Sequence, residues 1–351
     1  MLRRSFLATA LAPAVRAIQQ DRLDDAHRIL EEAIVWGKVN YYSLYVRRGR
    51  ERARMVGGPD INVDLPFLLA SITKPMTIAA LMVLVETEQV KLDDPVQRHI
   101  PEFKGAGREA VTLRHLCTHT SGLPDMLPDN EALRARHSPL AKFVEGACEV
   151  PLLFKPGSKC QYQSMGILLA AEVIERVTKS PLRDFMKKHV FDPLGMETAS
   201  LGLGGRRIED TALCQVSGND DWNWNSPYWR DLGAPWGGAH ASAEDVGKFL
   251  EYFLNPTGRV LRPATARTMV ENQNRGLNLP WGLGWMVQPG KFGKACSEHT
   301  FGHWGSTGTV AWCDQVSRTT CVLLTTRPAD ESRSSVLGPV SDAVAAATTR
   351  T

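Results

Sequence analysis

The 351-residue sequence has no strong charge of either sign: its net charge is +3, with acidic and basic residues interleaved along the chain. That balance gives no extended field to draw in nucleic acid or anionic lipid. It has no Cys-x-x-Cys pair, and its seven cysteines are an odd number. A disulfide scaffold or a zinc ribbon is therefore not indicated, although Cys313 and Cys321 fall on two strand-like segments joined by a short turn and could pair across a hairpin. No Gly-x-Ser-x-Gly nucleophile elbow occurs, nor any phosphate-cradling glycine motif,. His115, Cys117, His119, His299 and His303 hint at a metal, but no His-Glu-x-x-His pattern accompanies them and no metal or other cofactor is expected,. After the N-terminus no apolar run reaches the length of a membrane span, which argues against stable membrane insertion. Internal repeats and low-complexity tracts are also lacking.

What is present is a 43% hydrophobic composition on a chain long enough to bury a large core,. Arg3-Arg4-Ser5-Phe6-Leu7 opens a short apolar run that ends in small residues near Ala14 and Ala17. It resembles a twin-arginine export signal over residues 1–17 and implies a periplasmic or secreted location, with a cytoplasmic chain as the alternative. Nothing in the sequence specifies an oligomeric state.

Helical spacing at Leu23, Ala26, Leu30 and Ala33 predicts a surface helix over 22–34, and two strands follow at 41–48 and 50–57 around Gly49. Arg50, Arg52 and Arg54 share one face of the second strand and read as a solvated or edge-protecting face. From Ser71 the chain is apolar on almost every side, which predicts a centrally buried helix. Helical patches dominate 98–235, at 112–119, 139–147, 164–178 and 181–190. Strand patterns return at 281–287, 307–314 and 320–326, and a last helix covers 336–347. This order predicts an α+β fold: an antiparallel sheet built from both ends of the chain, flanked by helices on both faces, with an inserted all-helical region. The predicted units are 18–90 with 235–351 for the sheet and 91–234 for the helices, with a small-molecule site in the cleft between them.

Ser71-Ile72-Thr73-Lys74 sets a hydroxyl and an amine three residues apart, within reach on one helical face,. A serine needs a base to become a nucleophile, and a lysine can serve when desolvation and positive potential keep it neutral. A helix starting at Ser71 supplies that potential and aims backbone N–H groups at an incoming oxyanion. Alone, the spacing is expected by chance in a chain this long.

The context is more specific. Phe67 to Pro75, Leu92-Asp93-Asp94-Pro95-Val96, the run from Val111 to Pro124 ending Thr118-His119-Thr120-Ser121-Gly122-Leu123-Pro124, Tyr162-Gln163-Ser164, Gly237-Gly238 before Ser242-Ala243-Glu244-Asp245, and His303-Trp304-Gly305-Ser306 occur in that order. Together they resemble the serine β-lactamase and penicillin-binding protein family, in its class C-like branch, over about residues 40–326. The resemblance implies Ser71 as nucleophile, Lys74 and Tyr162 as its activating pair, the N–H groups of Ser71 and Ser306 as oxyanion hole, and Ser164, His303, Trp304 and Gly305 as substrate contacts. The Trp222, Trp224, Tyr228, Trp229 and Trp236 cluster either lines the acyl pocket or anchors its loop.

Two departures bear on the substrate. Ser164 replaces an asparagine whose amide would hold a substrate amide, and His303 replaces a lysine whose fixed charge would attract a carboxylate. Both point away from anionic β-lactams, toward small neutral esters or amides and a carboxylesterase-like hydrolase. The alternatives are a D-alanyl-D-alanine peptidase or β-lactamase, and a non-catalytic module binding cell-wall fragments or a partner.

Overall fold

Gly49, at φ +59°, turns the chain between two alternating seven-residue strands, β1 (Tyr42–Arg48) and β2 (Glu51–Gly57). The computed structural model describes residues 18–216, 218 and 220–348, so the expected export segment lies outside the described residues. β3 (Phe67–Leu68), β4 (Ser200–Leu201) and β5 (Ala239–Ala241) form a small three-stranded sheet, and β6 (Thr300–Gly305), β7 (Thr309–Asp314) and β8 (Thr319–Thr325) complete the strands. Among the described residues the main sheet is antiparallel, in the order β2-β1-β8-β7-β6. Its centre joins β1 to β8, Tyr42 opposite Thr325. The two ends of the chain thus build one sheet.

The helices are α1 (Gln20–Val35), α2 (Thr73–Glu86), α3 (Leu113–Cys117), α4 (Asn130–Ala135), α5 (Leu140–Glu149), α6 (Met165–Thr178), α7 (Leu182–Met186), α8 (Pro227–Leu232), α9 (Ala243–Leu254), α10 (Pro263–Met269), α11 (Ala329–Ser332) and α12 (Gly338–Thr348). The region between β2 and β5 is not purely helical, because Ser200–Leu201 pairs with β5. The period of two splits the sheet's side chains between two cores. Leu44, Val46, Val310, Trp312, Cys321 and Leu323 pack with α1 and α12, whereas Tyr45, Ala311, Cys313, Val322 and Leu324 face the larger core containing α2, α6 and α9. α2 is buried on nearly every side, as its composition predicts,.

Two expectations change. The segment 281–287 is not a strand: only isolated bridges form, Trp281 with Met286 and Met286 with Gly302. Gly284 is the cause, since it sits at φ +78° with a Cβ there only 3.0 Å from the Ile78 side chain,. Cys313 and Cys321 do not pair; they lie on opposite faces of the sheet, opposite Thr320 and Trp312, and are free thiols. The arginine face of β2 lies on an edge strand and is solvated, as expected, with Glu244 of α9 pairing Arg52 at 3.1 Å and Arg54 at 2.5 Å. That helix starts with Ser242 accepting the Asp245 N–H at 3.3 Å,.

Candidate active site

Ser71 sits in a short 3₁₀ turn (Ala70–Ile72) that runs directly into α2. Ala70, immediately before it, is in the left-handed region at φ +46°, a conformation that costs a non-glycine residue about 1–3 kcal/mol,. Three contacts hold the turn from outside. The Thr307 hydroxyl donates to the Leu68 carbonyl at 2.6 Å, the Thr309 hydroxyl donates to Leu69 at 3.0 Å, and the Leu69 N–H donates to Ala239 at 2.8 Å. The strained turn is thereby clamped between the end of β6, the start of β7 and β5.

One turn along α2, the Lys74 ammonium nitrogen lies 3.0 Å from Ser71 Oγ and 3.0 Å from the Trp236 carbonyl. It also stands 4.7 Å from the centre of the Tyr162 ring. Lys74 is 1% exposed, and desolvation brings its pKa down from 10.5 to about 7, with Asp125 pulling weakly the other way,. A neutral amine beside the serine hydroxyl can accept its proton. Burial pushes the Tyr162 phenol well above its ordinary value, partly offset by the Ser71 hydroxyl, so this tyrosine keeps its proton at neutral pH.

The run from Thr118 to Pro124 serves to place Tyr162. Gln161 N–H donates to the His119 carbonyl at 2.9 Å, Gln163 N–H donates to His119 Nδ1 at 3.3 Å, and the Ser121 hydroxyl meets the Gln163 amide oxygen at 2.5 Å. His119 packs edge to face on Trp281 and lies 4.9 Å from the Tyr162 ring. Burial, then Lys74, then His303 hold its imidazole neutral. Among the described residues no group of three or more His, Cys, Asp or Glu is arranged to hold a metal ion.

Ser71 and Tyr162 open onto a cavity of about 310 Å³, whose wall also includes Ser306, Thr307, Gly237, Ser164, Asp125, Arg134 and the apolar side chains of Leu68, Met126, Trp224, Trp229 and Trp236. Ser71 lies in the turn that leads into α2 and Ser306 directly follows β6, and both residues line the cavity. The tryptophan cluster does both of the things expected of it: Trp224, Trp229 and Trp236 line the cavity, while Trp222 stacks on Arg134 at 4.9 Å.

The other expected substrate contacts are placed differently. His303 is completely buried behind Tyr162, with Nδ1–H donating to the Trp304 carbonyl at 2.6 Å and Nε2 lacking a partner. Desolvation, with Lys74 adding to it, holds its pKa down at about 3, so it carries no charge and does not line the cavity. Trp304 points to the opposite face of the sheet, because neighbours on a strand alternate; its indole donates to Lys291 at 3.0 Å and lies under Arg333 at 4.5 Å. Gly305 does not line this cavity either. A Cβ there would come within 2.4 Å of the Leu69 carbonyl, so the missing side chain is what lets β6 approach the Ser71 turn. Ser164 does line the cavity, but its hydroxyl donates to Asp125 Oδ1 at 2.6 Å.

Asp125 and Arg134 escaped the sequence reading. Asp125 follows the Ser121-Gly122-Leu123-Pro124 turn directly, so that turn could have flagged it. Arg134 lies on the six-residue α4 with no local signal at all.

Comparison with known proteins agrees with this geometry. The family model described as Beta-lactamase matches residues 35–345. Esterase EstB of Burkholderia gladioli is 32% identical over 207 residues, which is 55% of this chain and 52% of that protein, so the match spans about half the length of that relative. The structure of EstCE1, a hydrolase with promiscuous acyltransferase activity, superposes with a TM-score of 0.78 at 20% identity, covering 93% of this chain and 99% of that one. A penicillin-binding protein homolog from Caulobacter crescentus gives 0.74 at 21% identity, with 95% and 99% covered. At those identities the two structures show a shared fold.

Proposed function

The chain belongs to the beta-lactamase family, and on that premise we propose that it is a serine hydrolase that transfers acyl groups through Ser71, acting as a carboxylesterase on small esters or amides. The observation that carries this reading is the Lys74 amine, buried, depressed to about 7 and 3.0 Å from Ser71 Oγ. In the proposed cycle Ser71 Oγ attacks the ester carbonyl while its proton passes to neutral Lys74. The Ser71 and Ser306 N–H groups receive the oxyanion. Collapse expels the alcohol, which takes a proton from the Tyr162 phenol or Lys74, leaving acyl-Ser71. Water then attacks the acyl group and gives up a proton to the same pair, and collapse releases the acid as that proton returns to Ser71 Oγ.

Esterase is favoured over β-lactamase or peptidase because the position of the family lysine holds an uncharged, buried His303, and because Ser164 spends its hydroxyl on Asp125. Neither offers a grip on a carboxylate or amide next to the reacting carbonyl. Similarity to EstB supports the same choice. The test is hydrolysis of p-nitrophenyl butyrate by wild type and Ser71→Ala, run beside a chromogenic cephalosporin and labelling with fluorescent penicillin. Ester turnover lost in the variant, with the cephalosporin untouched, is the expected result. Turnover that survives Ser71→Ala sinks the nucleophile assignment, and rapid cephalosporin turnover sinks the esterase preference. We also propose export through the Arg3-Arg4 segment; Arg3→Lys with Arg4→Lys should then strand the protein in the cytoplasm in a fractionation assay.

A further inference from the structure

One charge in the cavity wall is unaccounted for by that cycle. Arg134 lies flat on two indoles, its guanidinium carbon 3.8 Å from the Trp229 ring centre and 4.9 Å from that of Trp222. Among the described residues its one hydrogen bond is a weak donation to the Trp222 carbonyl at 3.3 Å, and its Nε is buried without a partner. Arg47, Arg52, Arg54, Arg98, Arg114 and Arg176 all hold carboxylates at 4 Å or less, whereas among the described residues Arg134 forms no ion pair. Burial draws its pKa down, with Tyr228 and then Glu131 acting in the opposite direction. A half-buried guanidinium without an anion is costly. Stacking fixes its plane, and beyond the one N–H given to Trp222 its terminal nitrogens keep hydrogens for an acceptor, for which a planar carboxylate is the natural fit,.

We propose that Arg134 is a specificity-determining residue that receives a carboxylate carried by the substrate at a distance from the reacting carbonyl, so that the preferred substrates are monoesters of dicarboxylic acids. The inference rests on the reading of Ser71 as nucleophile and revises the expectation of wholly neutral esters. The positive charge lost at His303 is supplied from α4 instead. Leu68, Met126, Trp224 and Trp236 supply an apolar wall in the same cavity, suited to a methylene spacer between the two ends of such an acid. Asp125 is the other charge in the wall; it is exposed and already accepts the Ser164 hydroxyl, so the substrate carboxylate must keep clear of it.

The experiment compares kcat/KM for p-nitrophenyl butyrate and for mono-p-nitrophenyl adipate in wild type, Arg134→Gln and Arg134→Lys. Wild type should favour the adipate. Arg134→Gln should lose about 10- to 100-fold on the adipate, mainly in KM, while butyrate stays within about threefold. Arg134→Lys should fall between, because it keeps the charge and loses the fork. An unchanged adipate to butyrate ratio in Arg134→Gln overturns the proposal, and so does an equal loss on both esters, which would mean that Arg134 only pins the tryptophan loop. Binding is read separately from turnover. Monomethyl adipate should raise the melting temperature of Ser71→Ala protein and not of Ser71→Ala with Arg134→Gln. That shift persists even if Ser71 proves not to be the nucleophile, and its absence overturns the proposal independently of the esterase assay.

Discussion

Replacing Lys74 with methionine should make the protein more stable and abolish its proposed activity together. In the unfolded chain a lysine keeps its proton up to about pH 10.4, whereas the folded protein releases it at about 7,. Between those values the folded state binds fewer protons, so stability rises with pH across the window and is at its lowest from pH 7 downward. At 1.36 kcal/mol per unit the shift corresponds to about 4–5 kcal/mol at neutral pH. Methionine is similar in length and has no charge to desolvate, but it forfeits the bonds from the amine to Ser71 Oγ and to the Trp236 carbonyl, at about 1 kcal/mol each,. A net gain of about 2–3 kcal/mol remains. For a chain of this size the entropy of unfolding is about 0.7 kcal/mol/K, so Lys74→Met should melt roughly 3–4 °C higher at pH 7. The gain should shrink toward pH 9.5, while ester turnover falls about 10²- to 10⁴-fold at every pH. Differential scanning calorimetry at pH 7.0 and 9.5 decides the matter. A variant that is less stable at pH 7, or whose advantage does not narrow with rising pH, would mean that Lys74 holds its proton in the folded protein, and the base would have to be sought elsewhere.

Asp125 pulls the Lys74 pKa upward, so Asp125→Asn should move the acidic limb of the kcat/KM profile to lower pH; a limb that stays or rises contradicts the electrostatic link. Gly305→Ala drives a methyl group against the Leu69 carbonyl and the Thr309 hydroxyl. It should cost about 1–3 kcal/mol in urea unfolding and lower kcat more than it raises KM. With Cys117, Cys148, Cys160, Cys214, Cys313 and Cys321 buried, a thiol reagent should label native protein slowly and at Cys296 alone, and peptide mapping should find no Cys313–Cys321 bridge,.

The elements were largely legible because their signals are local. The 3.6-residue spacing of Leu23, Ala26, Leu30 and Ala33, the alternation on either side of Gly49 and the all-round apolarity after Ser71 each appear as read. Tyr162 was placed only by likeness to a family, and geometry adds the reason: the Ser121-Gly122-Leu123-Pro124 turn holds its loop. The misplaced contacts fail for physical causes. His303 and Trp304 are neighbours on one strand and cannot both face the same cavity. Gly305 matters through what it leaves out, and the neutrality of His303 comes from burial rather than from its ordinary pKa. Arg134 was out of reach because nothing within its own segment marks it, whereas Asp125 had the turn before it as a signal; only packing brings α4 to the same wall as Ser71.

The pairing of β1 with β8 has a consequence for biosynthesis. Ser71 and Lys74 leave the ribosome early, but the threonines that clamp their turn, and Ser306, lie more than 230 residues downstream. A growing chain can fold α2 well before it owns the strands that hold the Ser71 turn in its strained pose. Translation must run past Thr309 before that turn can be clamped, so a product terminated earlier lacks the contacts that hold Ala70 in its strained conformation,.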